Sequence, residues 1–187
     1  MVTSFTRVVI VLSFLRTALG LQQTPPNSVL ISLALFLTFF IMAPTFQKAY
    51  ESGIKPMMEN QIDESVAFDK TVAPFKAFML EQTREKDFAM FSELSKIDTP
   101  EKIEDTPIYV VIPAFMISEL KRAFEIGFLI FLPFLIIDLL VASTLMAMGM
   151  MMIPPVMISL PFKLIFFVLI DGWYMLCGSL VKSYGLG

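Results

Sequence analysis

The chain offers few of the side chains that usually do chemistry. It holds no His and a single Cys, Cys177. That removes His/Cys zinc sites, Ser-His or Cys-His catalysis and any internal disulfide. Cys177 lies in an apolar stretch and reads as a small core residue. No catalytic residue, metal site or cofactor is expected, and the chain is not expected to be an enzyme. No nucleotide-binding motif is present, so any energy must come from other components. Two kinds of residue remain: a run of methionines, and isolated charges set in apolar sequence.

The methionines are Met146, Met148, Met150, Met151 and Met152, in the stretch MAMGMMMIPP over 146–155. Gly149 and Pro154-Pro155 mark a hairpin tip. Tips normally face water with polar residues, and this one has none. Irregular backbone facing lipid leaves polar groups unpaired at several kcal/mol each, unless protein or a cavity encloses it. The turn therefore predicts partner subunits around it. Thioether side chains adapt to irregular gaps, and three readings follow. They fill gaps in a core, they form a deformable apolar seal of the kind that gates pores by dewetting, or they coordinate Cu(I) as soft ligands.

The charges fall in two groups. In PAFMISELKRAFEIG, over 113–127, Glu119 and Arg122 stand three apart and Lys121 and Glu125 four apart. Either pair can meet on one helix face. They mark an ordinary solvated helix start, or they place Glu119 or Lys121 at a contact between subunits. Asp138, Lys163 and Asp171 lie deeper in apolar sequence. A charge within a spanning helix costs about 2.5–3.5 kcal/mol, and such residues face a bundle interior or a wet cavity. Lys163 and Asp171 are about 80° apart around a helix, so a loose pair between them is expected, or pairs with neighbouring helices. A proton relay is the sharper alternative, poorly supported by so few acids.

The elements that must carry these residues are apolar. Hydrophobic residues make up 56% of the chain and charged ones 17%, against about 25% charged in soluble domains. Burial in a membrane or a large complex is the default. Residues 48–105 carry 8 Lys/Arg against 13 Asp/Glu, a balance of −5, while the rest carries 6 basic and 4 acidic residues. A water-facing acidic middle thus sits between apolar flanks, and no basic stripe supports nucleic-acid binding. The first apolar stretch, 8–15, is bracketed by Arg7 and Arg16; LQQTPPN then makes a turn, and Val29–Phe46 is free of charge over about 27 Å of helix. Met1–Gly20 lacks the small-residue cleavage site of a signal peptide. It reads as a helix that begins mid-sequence. In the middle, Ala73-Pro74 is expected to open a helix. Further on, Ile126–Met148 forms a helix kinked at Pro133, and a last helix runs from Val156 towards Val181. The predicted class is all-α and membrane-associated. An N-terminal helical hairpin (1–46) and a C-terminal one with the Met-rich loop (108–187) flank a polar, mainly helical insert (47–107).

These segments resemble the signature regions of the FliP family of flagellar type III export-gate proteins, a family shared with virulence-system counterparts. The stretches that carry the resemblance are TSFTRVVIVLSFLRTALG, QQTPPN, LALFLTFFIMAP, PAFMISELKRAFEIGFLIFLPFLIIDLLVAS, MAMGMMMIPP and ISLPFKLIFFVLIDGW. They cover nearly the whole chain outside 47–107. The resemblance implies a ring of five copies joined by FliQ and FliR and by other export-apparatus membrane proteins. Unfolded flagellar subunits pass through this gate, in the inner membrane within the flagellar basal body, with the insert extracytoplasmic. It implies that Met146–Met152 narrow the channel, that Glu119 and Lys163 occupy the family's charged positions, and that the apolar helices pack as hairpins in a helical oligomer lifted out of the bilayer plane. Family members usually begin with a longer N-terminal stretch carrying a signal sequence, whereas Met1 here falls inside the first apolar helix. Two other functions are set beside the gate: a small-ion or Cu(I) transporter using the thioethers, and an assembly scaffold that never conducts.

Overall fold

The computed structural model describes residues 2–95, 106–150 and 152–185. Among them every regular element is helical: α1 Phe5–Ala18, α2 Asn27–Ala49, α3 Lys55–Met58, α4 Glu64–Gln82, α5 Glu85–Leu94, α6 Ile108–Ala147, α7 Pro155–Leu169 and α8 Gly172–Lys182. A single π-helical turn, Tyr50–Ile54, joins α2 to α3, so helical backbone continues over 32 residues from Asn27 to Met58. The all-α expectation holds. Among the described residues two helices are long and apolar enough to cross a membrane, Asn27–Met58 and Ile108–Ala147, and the bent pair α7–α8 brings the number to three if it counts as one span.

Helix ends follow the local chemistry. After α1, Gly20 takes φ 78°, and its N–H bonds to Thr17 while Leu21 N–H bonds to Arg16. After α6, Gly149 takes φ 75°, its N–H bonds to Met146 and Met150 N–H bonds to Leu145. Both are Schellman closures, in which a glycine in the left-handed region lets two N–H groups satisfy carbonyls that the helix end would orphan.

Three expected boundaries move. The helix expected to open at Ala73-Pro74 opens at Glu64, with Pro74 in its interior. A proline there leaves the carbonyl four residues back without its donor; that carbonyl belongs to Lys70, and the Ser52 hydroxyl lies 3.0 Å from it, sharing its one hydrogen with the Lys48 carbonyl at 2.7 Å. The helix expected over Ile126–Met148 begins at Ile108 and runs 40 residues, through Pro113 and Pro133, about 60 Å by rise. The single helix expected from Val156 towards Val181 breaks after Leu169 and bends by 63°. Asp171 sits at the corner with φ 51° and ψ 52°. Aspartate tolerates this left-handed conformation better than most residues. An acid that reads as an intramembrane charge is therefore a helix corner.

By internal contacts the chain divides into two units, Met1–Arg7 with Thr38–Arg122 and Val8–Leu37 with Ala123–Gly187. In the first, Met79, Val111 and Phe115 are buried and packed by Phe78, Leu80 and Ile112. Phe78 and Phe115 meet edge-on at 6.0 Å, and Phe46 meets Phe75 at 5.7 Å. In the second, Val8, Val11, Leu12 and Leu15 of α1 are buried. Phe14 of α1 meets Phe124 and Phe131 of α6 at 5.0 and 6.1 Å. Phe134 of α6 meets Phe166 of α7 at 6.1 Å, and Phe167 meets Trp173 across the α7–α8 corner at 5.5 Å. Such edge-to-face pairs add roughly 0.5–1.5 kcal/mol beyond the area they bury.

Candidate functional site

In the unit built from Met1–Arg7 and Thr38–Arg122, the charges gather at the start of α6. Arg7 of α1 and Glu119 of α6 are both fully buried and form an ion pair, through the Arg7 Nη2 and, at 3.2 Å, through its Nε. The Gln82 Oε1, at the end of α4, accepts from Arg7 Nη2 at 3.4 Å and from Arg122 Nη1 at 2.9 Å. Two guanidinium groups thus converge on one carboxylate and one amide oxygen. This satisfies buried donors that would otherwise cost their full desolvation.

One residue back on α6, Ser118 connects to the insert. Its hydroxyl donates to Asp87 Oδ2 at 2.6 Å and accepts from the backbone N–H of Arg84 at 3.0 Å. Arg84 holds Asp87 with two parallel bonds of 2.7 and 2.8 Å, the forked geometry that makes Arg–carboxylate pairs strong. Burial acts to raise the Asp87 carboxyl, but the Ser118 hydroxyl and the Arg84 guanidinium outweigh it and hold it below its ordinary value.

In the other unit, Lys163 of α7 is buried and pairs with Asp138 of α6 at 2.6 Å. Its ammonium also donates to the carbonyl of Ala18, the last residue of α1, at 3.2 Å. A cation at a helix C-terminus meets the negative end of its dipole. Ser159, one turn before Lys163, donates to the second Asp138 oxygen at 2.6 Å. Three helix segments are thereby joined through one ammonium group.

The methionine turn stands apart from these clusters. Met146, Met148, Met150 and Met152 are exposed within the chain, Met152 almost completely at 98%. Met151 lies outside the described residues. The turn's backbone is nevertheless closed by the Schellman bonds and by Met148 N–H to Thr144 at 3.1 Å. Beneath it is a small groove of 290 Å³, lined by Ala142, Leu145, Met146, Met150, Ile153 and Pro155.

The expected pairings are thus redrawn. Glu119 meets Arg7 on another helix, and Arg122 reaches Gln82; the partners three apart on α6 each find a different helix. Lys121 and Glu125 are exposed on α6. Lys163 pairs with Asp138, not with Asp171, which is exposed at the α7–α8 corner. The sequence reading missed Arg7, Gln82, Ser118, Asp87 and Ser159 as members of these clusters. Arg7 was visible as a charge at the edge of an apolar run, but nothing in its spacing pointed to a partner 112 residues away.

Comparison with known proteins finds one family along almost the whole chain. The FliP family model matches residues 1–180. The flagellar biosynthetic protein FliP of Caulobacter vibrioides is 62% identical over 187 residues, covering all of this chain and 70% of that protein. The flagellar biosynthetic protein FliP of Bacillus subtilis is 58% identical over 184 residues, covering 98% of this chain and 83% of that protein. That of Pectobacterium carotovorum is 55% identical over 184 residues, covering 98% and 71%.

Proposed function

This chain belongs to the FliP family, and on that premise we propose that it is a core subunit of the flagellar type III protein export gate. Together with FliQ, FliR and further copies of itself, in a ring of five, it forms a channel through which unfolded flagellar proteins leave the cell. It works in the inner membrane within the flagellar basal body, with residues 47–107 extracytoplasmic. The role is passive: positioning and sealing, with no bond made or broken.

The observation that carries this reading is the hairpin tip of Met146–Pro155. Its turn closes with backbone bonds to Met146 and Leu145 while the side chains of Met146, Met148, Met150 and Met152 are left uncovered by the chain. A soluble protein hides such a surface, and lipid does not require it to be flexible. Several copies around an axis would bring unbranched thioether chains together as an apolar plug. Such a plug excludes ions by dewetting and yields to a passing polypeptide. The length of α6 supports assembly as well, since its roughly 60 Å exceeds a hydrocarbon layer of about 30 Å and its first half carries Glu119, Lys121, Arg122 and Glu125.

Deletion of Met148–Met152 tests the seal. The variant is expected to assemble with its partners and to leak small ions when the complex is reconstituted in a bilayer. A conductance equal to wild type sinks the seal. Uptake of Cu(I) by the purified protein would favour the transporter instead. Failure of a stalled export substrate to cross-link to Met150 would favour a scaffold.

A further inference from the structure

The methionine tip carries a second chemistry. Met146, Met148, Met150 and Met152 are exposed at 57%, 63%, 44% and 98%, whereas Met42 and Met79 are fully buried. A thioether sulfur accepts one oxygen atom from an oxidant such as hydrogen peroxide. The O–O bond breaks, an S–O bond forms, the sulfur gives up two electrons and water leaves. The product is a sulfoxide, a polar group on a side chain that was apolar.

The turn has little to offer such an acceptor. The N–H groups of Met148, Gly149, Met150 and Ile153 already bond to the carbonyls of Thr144, Met146, Leu145 and Met150, and Pro154 and Pro155 have no N–H. The Thr144 hydroxyl donates to the Leu140 carbonyl at 2.8 Å. The groove beneath the turn is walled by Ala142, Leu145, Ile153 and Pro155, whose side chains have no donor. A polar group left unpaired in apolar surroundings is unfavourable, so a sulfoxide here draws in water. The turn itself is closed by backbone bonds. Oxidation therefore leaves the hairpin standing and alters only what its tip presents.

We propose that the tip, residues 146–152, is an oxidation-sensitive modification site, at which sulfoxide formation by peroxide wets the seal and lets small ions through. This deepens the seal reading and rests on it. In a ring, the two outer faces of an apolar plug meet water, and a passing polypeptide parts the rest, so a small neutral oxidant reaches the sulfurs. A dewetted constriction excludes ions only while its lining stays apolar. Met57, Met58 and Met90 are exposed as well, but they lie in the polar segment 47–107, where a sulfoxide disturbs no seal.

The test treats the gate, reconstituted with its partner subunits in a bilayer, with hydrogen peroxide. Samples taken over time are read for small-ion leak and, by peptide mass spectrometry, for oxygen added at each methionine. Tip sulfoxide is expected to form well ahead of sulfoxide at Met42 and Met79. The leak is expected to rise severalfold with it, towards the level of the Met148–Met152 deletion. The combined variant Met146→Leu, Met148→Leu, Met150→Leu, Met151→Leu and Met152→Leu has no thioether at the tip. Its leak, whatever the starting level, should not respond to peroxide. Tip methionines oxidised no faster than Met42 and Met79 overturn the site. So does a leak that stays constant as the tip is oxidised, that follows Met57 and Met58 instead, or that still responds to peroxide in the leucine variant. If that variant does not assemble, the wild-type time course decides alone. A deletion that leaks, beside an oxidised tip that does not, overturns this inference and leaves the seal standing. A deletion that does not leak overturns the seal and this inference with it.

Discussion

Replacing Glu119 by leucine should destabilise the chain severely, and replacing Arg7 as well should largely undo the damage. Arg7 and Glu119 are each fully buried, so neither charge can turn to water when its partner is lost. Stranding one member of a buried pair costs about 3–5 kcal/mol, whereas exchanging both for apolar residues of similar volume is often neutral or stabilising. Glu119→Leu removes the Arg7–Glu119 ion pair, and the Gln82 oxygen, already shared with Arg122 at 2.9 Å, is neutral and does not replace it. For a chain of this size about 1 kcal/mol moves the unfolding midpoint by about 2–4 °C, so a fall of about 6–20 °C is expected. Arg7→Met/Glu119→Leu should return to within about 5 °C of wild type, with Gln82 still serving Arg122. Thermal unfolding of the detergent-solubilised protein, followed by far-ultraviolet circular dichroism, reads Glu119→Leu, Arg7→Met and the double variant. A single substitution costing under about 2 °C, or a double variant as unstable as the two single losses added together, would refute the reasoning.

The Asp138–Lys163 pair should respond asymmetrically. The Lys163 side chain is 5% exposed and that of Asp138 32%, so Asp138→Leu strands the better-buried charge and should cost about 3 kcal/mol or more, while Lys163→Met should cost clearly less. Limited proteolysis of the 138–163 hairpin would show this order, and the reverse order would contradict it. For Asp87 the expected effect is on acid stability. A carboxyl whose folded value lies below the unfolded one near 3.8 contributes fully above that value and loses its contribution as pH falls through the folded value. Protection factors of the α5 amides, taken against the intrinsic exchange rate at each pH, should therefore fall on acidification below about pH 4, and Asp87→Asn should already be less protected at neutral pH and show a flatter acid response.

The class, the hairpin turns and the position of the methionine tip are legible in sequence because each depends on neighbours: apolar runs, paired prolines, a glycine after the last turn. The charge clusters are not, because each joins segments far apart in the chain. Lys163 has an acid eight residues away that looks like a partner, but the left-handed corner at Asp171 turns that acid out of the helix, and α6 supplies Asp138 instead. Pro74 misleads for a related reason. Its rule about helix starts is local, while the carbonyl that it leaves without a helical donor, that of Lys70, faces Ser52 of the preceding helical segment.

The 40 residues of α6 also bear on the life of the chain before it has companions. To immerse all of that rod in a single leaflet pair would demand a slant near 60°, well beyond the roughly 0–40° that lone helices adopt. An upright lone copy would instead keep Val111 and Phe115 outside the bilayer, packed on Met79, while its methionine tip stays uncovered, an invitation to quality-control proteases. Newly made copies should accordingly be short-lived in cells that lack the other components and long-lived in cells that have them.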